Sequence, residues 1–137
     1  MNLFESYQQI ARQYKSLPLK SERKLIKLAK KGNISAKQEL LFYQIGFFLY
    51  RINTMLFPSV VRKEGEDILQ NFVEFAIRKI SSYNLRYRNK AGEFQPVYFR
   101  TYIWKGIDGL LFNVIKARYK KEICFSDLND YKIKRYE

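Results

Sequence analysis

Apolar residues recur along this chain at steps of three and four, the spacing that lines one side of an α-helix. Leu3, Tyr7, Ile10, Ala11 and Tyr14 mark a first helix that Pro18 ends. Leu25, Ile26, Leu28 and Ala29 mark a second, with lysines on its other side and Gly32 as a left-handed stop. Ser35 followed by Gln38 forms a capping box and predicts the start of a third helix. That helix, running to about Phe57, carries Leu40, Leu41, Phe47, Phe48, Tyr50, Ile52 and Leu56. These are too many for one narrow stripe, which predicts a central position. Pro58 breaks it, and a fourth helix is expected to open with Glu64, Glu66 and Asp67, whose charge suits the positive end of a helix dipole. Its buried side is Ile68, Leu69, Phe72, Val73, Ala76, Ile77 and Ile80.

Residues 83–96, YNLRYRNKAGEFQP, hold Gly92 and Pro96, lack a helical period and predict the longest loop. A fifth helix carries Phe99, Ile103, Ile107, Leu110 and Val114 on one face, with Gly106 and Gly109 allowing close packing against a neighbour. The polar tail beyond Lys121 is expected to fray. The fold class is therefore all-α, a compact bundle of about five helices. It divides into an N-terminal helical segment (1–20), a helical core (21–123) and a polar tail (124–137).

Composition changes the picture mainly through charge. Lysine and arginine number 26 against 13 acidic residues in 137, a net charge of +13. Such an excess calls for a polyanionic partner. Cys124 is the single cysteine, which rules out a disulfide-stapled scaffold and fits a reducing, cytoplasmic setting. With no histidine as well, the usual zinc-ligand sets and every imidazole-dependent triad are gone. No metal, no cofactor and no enzymatic activity are expected. The N-terminus lacks a signal-peptide pattern, and Leu40 to Tyr50 is too short to span a bilayer, so no membrane partner is expected.

The charge is also uneven. From Arg78 to Lys121 eleven basic residues face only Glu93 and Asp108, and Tyr83, Tyr87, Phe94, Tyr98, Tyr102 and Trp104 are interleaved with them. Cations with rings suit phosphate contacts combined with base stacking on unpaired strands. Aromatic residues at helical spacing are more often core. Phe99 belongs to the apolar stripe, whereas Tyr102 and Lys105 are expected to project away from Ile103, Ile107 and Leu110.

Three segments in this order resemble the bacterial RNA polymerase sigma factors, specifically their promoter-melting domain. Residues 25–39, LIKLAKKGNISAKQE, are similar to the opening of that domain, a basic helix followed by glycine, a polar turn and a new helix. Residues 66–80, EDILQNFVEFAIRKI, resemble its polymerase-binding helix, with Asp67 and Gln70 the most telling matches. Residues 99–121, FRTYIWKGIDGLLFNVIKARYKK, resemble the promoter-contacting helix of the extracytoplasmic-function branch, including the basic end and a Ser-Asp-Leu at 126–128. The first 24 residues resemble the short helical segment preceding this domain in larger sigma factors. The likeness covers about residues 7–128.

The resemblance implies a transcription initiation factor with two surfaces. Glu66, Asp67, Gln70, Asn71 and Glu74 would face the clamp helices of the largest subunit of core RNA polymerase. Arg86, Arg88, Lys90, Arg100, Lys105 and Lys116 would hold phosphates of promoter DNA, chiefly the single-stranded non-template strand of the minus-ten element. Tyr87, Phe94, Tyr102 and Trp104 would wall a pocket for flipped bases. Three departures stand out. Lys105 and Gly106 replace the adjacent tryptophans of primary sigma factors, and Asn71 replaces a common acidic residue. The sequence also carries no helix-turn-helix domain for the upstream element. This implies a fragment, or a factor that works without that domain or with it on a separate protein; an anti-sigma partner is a further expectation of the family. Two other readings fit the same composition. One is a helical DNA- or RNA-binding regulator of a mobile element that never touches polymerase, and the other is an interaction module acting through protein contacts alone.

Overall fold

The computed structural model describes the backbone of residues 3–136 and the side chains of residues 4–118 and 120. Five helices follow one another: α1 (Leu3–Gln13), α2 (Leu19–Lys30), α3 (Ile34–Met55), α4 (Pro58–Ser82) and α5 (Phe99–Tyr136). Among the described residues there is no strand, only an isolated antiparallel bridge between Arg88 and Phe94. No described helix is long and apolar enough to cross a membrane.

The all-round apolar pattern of α3 has the consequence expected of it. α3 packs against α1, α2, α4 and α5, and Leu40, Phe48 and Ile52 are completely buried along it. Ile26 of α2, Leu69 and Phe72 of α4, and Phe99, Ile103, Ile107 and Leu111 of α5 close the same core. Each such side chain contributes about 1.5–3 kcal/mol through removal from water. Phe48 and Phe72 meet edge-on with ring centroids 5.5 Å apart. By contrast α1 places only partly buried side chains, Phe4, Tyr7, Ile10 and Ala11, against the core.

The helix boundaries differ from the expected ones in four places. α1 ends at Gln13, and Pro18 serves instead as the residue before α2, its carbonyl accepting the Glu22 N–H at 2.9 Å. Asn33, not Ser35, caps α3: its Oδ1 accepts the Ala36 N–H at 3.0 Å, which moves the helix start one residue ahead of the capping box. Pro58 opens α4 rather than preceding a gap, because proline at the first helical position loses a donor that would be unpaired anyway. Glu64, Glu66 and Asp67 therefore lie well inside α4, beyond the reach of its N-terminal dipole. Finally, α5 continues to Tyr136, through the segment whose composition suggested a fraying tail, whose side chains lie outside the described residues. Gly32, at φ 96°, ends α2 in the left-handed conformation anticipated for it.

On α5 the fully buried leucine is Leu111, with Leu110 and Val114 only partly covered, since the core stripe drifts by one position along a straight helix. The two glycines of that helix also part company. A Cβ on Gly106 would sit 2.1 Å from the Phe75 ring, so its bareness lets α5 close on α4, while Gly109 has nothing within 4 Å. In urea unfolding, Gly106→Ala is expected to lower stability by about 1–3 kcal/mol through overpacking. Gly109→Ala is expected to raise it by up to about 1 kcal/mol, the ordinary helix-propensity difference.

Candidate nucleic-acid interface

Residues 83–98 connect α4 to α5 and carry Arg86, Arg88 and Lys90 together with four of the six aromatic residues singled out above. The segment is a small closed hairpin rather than a slack loop. Asn89 Oδ1 accepts the N–H groups of Ala91 at 3.0 Å and Glu93 at 2.9 Å, the Asn89 N–H donates to the Glu93 carbonyl at 2.9 Å, and Gly92 turns at φ 79°. Arg88 donates to the Gly92 carbonyl at 2.9 Å and so braces the turn with its own side chain. Its base is held by the bundle. Tyr83 is buried with its hydroxyl donating to the Val97 carbonyl, Lys30 donates to the Tyr83 carbonyl, and Arg23 donates to the Leu85 carbonyl at 2.6 Å.

Arg86, Tyr87, Arg88, Lys90 and Phe94 are all exposed on this hairpin, Tyr87 at 45% and Phe94 at 53%. The Arg23 guanidinium lies 5.1 Å from the centre of the Phe94 ring, a cation–π contact that fixes one face of that ring. On α5, Arg100, Lys105 and Lys116 are also exposed. At about 100° per residue, Lys105 and Lys116 share the face opposite the core, whereas Arg100 turns toward the α2 side.

The two α5 aromatics expected to wall a pocket do not stand together. Two residues apart on a helix, Tyr102 and Trp104 point about 200° from each other. Tyr102 is half-buried: its hydroxyl is 2.8 Å from Ser82 Oγ, and its ring meets Tyr83 edge-on at 5.4 Å, so it does not project free of the core as its position suggested. Trp104 meets Phe47 at a tilt of 43° with ring centroids 4.7 Å apart, donates from Nε1 to Asp108 at 3.1 Å and lies under the Arg51 guanidinium. Arg51 in turn pairs with Asp108 at 2.8 Å, joining α3 to α5. Of the six rings singled out in the sequence, Tyr87, Phe94 and Tyr98 face outward, and Trp104 keeps 37% of its surface exposed despite these contacts.

Sequence periodicity missed the group that sets the start of α5. Glu22, only 5% exposed on α2, accepts the Phe99 N–H at 2.5 Å from 77 positions away, replacing the local cap that α5 lacks. Gln44 of α3, 2% exposed and donating from Nε2 to the Leu40 carbonyl at 3.2 Å, lies beside Glu22, and both it and the Arg100 charge favour the ionised acid. Burial nevertheless dominates and raises the Glu22 pKa above its ordinary 4.5. Beside this group lies a cavity of about 80 Å3 lined by Glu22, Gln44, Tyr43, Tyr98, Arg100 and Lys15, among others. An acid among apolar helices gives no periodic signal, but its lone place on the otherwise basic and apolar α2 was visible.

On α4, Glu66, Asp67, Gln70, Asn71 and Glu74 are all exposed and fall within an arc of about 140°. Among the described residues none of the three acids is in an ion pair, while neighbouring Glu64 pairs with Arg118 at 3.3 Å. Gln70 and Glu74 border an apolar groove of about 260 Å3 formed with Tyr7, Ile10, Leu41 and Phe42. Compared with known proteins, the chain matches no family profile, no curated sequence and no solved structure.

Because the folded state holds the Glu22 proton more tightly than the unfolded chain does, Glu22 contributes a stability that is complete below pH 4.5 and declines as pH rises through its elevated folded value. Glu22→Gln keeps an acceptor for Phe99 and should remove this decline, seen as a flatter difference in unfolding free energy between pH 4 and pH 7. Glu22→Ala leaves the Phe99 N–H unpaired and should cost about 1–3 kcal/mol at pH 4, and less as pH rises through the folded value of Glu22.

Proposed function

We propose that the chain is a sigma-like transcription initiation factor, with a bundle of the promoter-melting type, working in the cytoplasm. It docks on the clamp helices of core RNA polymerase through the α4 stripe and holds the opened non-template strand of the minus-ten element with the hairpin and the start of α5. The observation that carries this reading is the polarity of the surface along α4. An exposed stripe of acids and amides, Glu66 to Glu74, lies on a molecule of net charge +13, and the cationic, ring-bearing hairpin leaves the far end of the same helix. A helix-start role would account for Glu66 and Asp67 without any partner, but α4 begins at Pro58, two turns earlier.

Arg86, Arg88, Lys90, Arg100, Lys105 and Lys116 hold phosphates and set register. Tyr87, Phe94 and Tyr98 serve as stacking surfaces together with the exposed part of Trp104, while Tyr102 is committed to packing. Taking one base out of a stack costs a few kcal/mol, and one aromatic surface returns about 1–3 kcal/mol. Opening therefore requires at least two captured bases together with the phosphate contacts. Beside the cavity at Glu22, the exposed Tyr98 and Arg100 suit the second capture, Tyr98 offering a ring and Arg100 a guanidinium for the adjoining phosphate. The missing upstream-reading domain would come from another part of the protein or from a separate helix-turn-helix partner, and an anti-sigma protein is a natural regulator of the α4 stripe.

Asp67→Arg is expected to reduce capture of purified core polymerase at least tenfold while leaving helicity and thermal unfolding unchanged. Full retention of binding would remove the docking assignment and favour a nucleic-acid-binding regulator that acts without polymerase. Affinity for single-stranded promoter DNA should exceed that for duplex and fall with salt by about 0.7 log unit per log unit of salt for each phosphate neutralised; a flat response is incompatible with the phosphate-holding role.

A further inference from the structure

The hairpin and α5 do not exhaust the cationic surface. A groove of about 410 Å3 runs between α2 and the beginning of the hairpin, lined by Lys20, Arg23, Lys24, Lys27, Leu85 and Arg86. Five of these six residues are cations and none is an acid. Lys20, Lys24, Lys27 and Arg86 are exposed, and none of them is in an ion pair or side-chain hydrogen bond among the described residues. Arg23 differs: its bond to the Leu85 carbonyl and its position over Phe94 commit it to fixing the far wall of the groove.

Like charges this close repel one another at physiological salt, where the screening length is about 8 Å. No acid lines the groove, so an external anion would relieve this repulsion. Its shape indicates which kind. Lys20, Lys24 and Lys27 follow a spacing of four and three residues on one helix face, and seven residues of helix extend about 10 Å. That length matches about three phosphates at roughly 3.4 Å each along a stacked strand. Arg86, a residue of the hairpin itself, lines the same groove, so a strand held by the hairpin continues into it. Leu85 gives the floor an apolar patch that a free inorganic anion would not use.

We infer that the groove between α2 and the hairpin is a track for the sugar–phosphate backbone of single-stranded nucleic acid, carrying about three phosphates beyond those held by the hairpin and α5. This rests on the nucleic-acid part of the proposed function, and it adds a helix that the charge-rich window of the sequence left out.

The test uses the triple variant Lys20→Ala, Lys24→Ala, Lys27→Ala in the full chain. No lysine of the three holds a structural partner, so helicity and melting temperature serve as the folding control. Binding to oligonucleotides near the two ends of the usual range of about 4–16 nucleotides per site is measured as a function of salt, beside a reference variant, Lys105→Ala with Lys116→Ala. The expected result for the long oligonucleotide is a salt slope shallower by about 2 in the triple variant, from three contacts at about 0.7 each. The reference variant weakens binding as well. An unchanged slope in the triple variant, with the reference variant still weakened, overturns the track and leaves the proposed function standing. Absence of binding by the unaltered protein overturns both. Inorganic tripolyphosphate displacing the long oligonucleotide at equal phosphate concentration would also overturn the strand assignment, because the groove would then be reading charge alone.

Discussion

The organisation of the proposed nucleic-acid surface depends on one buried carboxylate. Glu22 reaches from α2 to the first N–H of α5 and supplies the cap that the sequence around Phe99 does not. Without it, the start of α5 would present unpaired donors in a buried setting, a costly arrangement. The bond fixes where α5 begins, and with the Tyr83 hydroxyl on Val97 it fixes where the hairpin must end. Arg23 and Lys30, on the same helix as Glu22, fix where the hairpin departs. α2 is thus the frame against which both ends of the surface are set, although its own apolar contribution to the core is small.

The division of charge follows from the same geometry. Helix α4 is the shared axis: its middle exposes acids and amides, and its C-terminal end gives rise to the cationic hairpin. A protein of net charge +13 that spread its acids evenly would present one uniform cationic surface to every partner. Gathering Glu66, Asp67 and Glu74 on one arc instead sets an acidic stripe apart from the cationic hairpin, and under the proposed function the two would hold a protein and a polyanion at once.

Much of this was legible in the periodicity of the chain. The five helices, the central position of α3 and the buried stripe of Phe99, Ile103 and Ile107 all follow from apolar spacing, because burial of a helix face is a local signal repeated every turn. What periodicity could not show was pairing across distance. Asn33 and Ser35 are both competent caps, and only the path of the chain after Gly32 decides between them. Gly106 and Gly109 look alike in sequence, yet Phe75 stands against one and solvent against the other. Tyr102 and Trp104 read equally as stacking residues, but Ser82, Tyr83, Phe47 and Arg51, which engage them, come from α3 and the end of α4. The lysines of α2 lie opposite its apolar residues, and nothing in their own segment reveals that the hairpin folds alongside them.

The internal bracing of the hairpin also bears on recognition. A flexible 16-residue connection would have to surrender backbone freedom on meeting a ligand, at about 1–2 kcal/mol for each residue fixed. Here Asn89, Gly92 and Arg88 close the turn within the free protein, and the bundle clamps its two ends. Most of that ordering is completed during folding, so under the proposed function the guanidinium and ring groups would meet a strand already in place, and more of their contact energy would be retained as affinity.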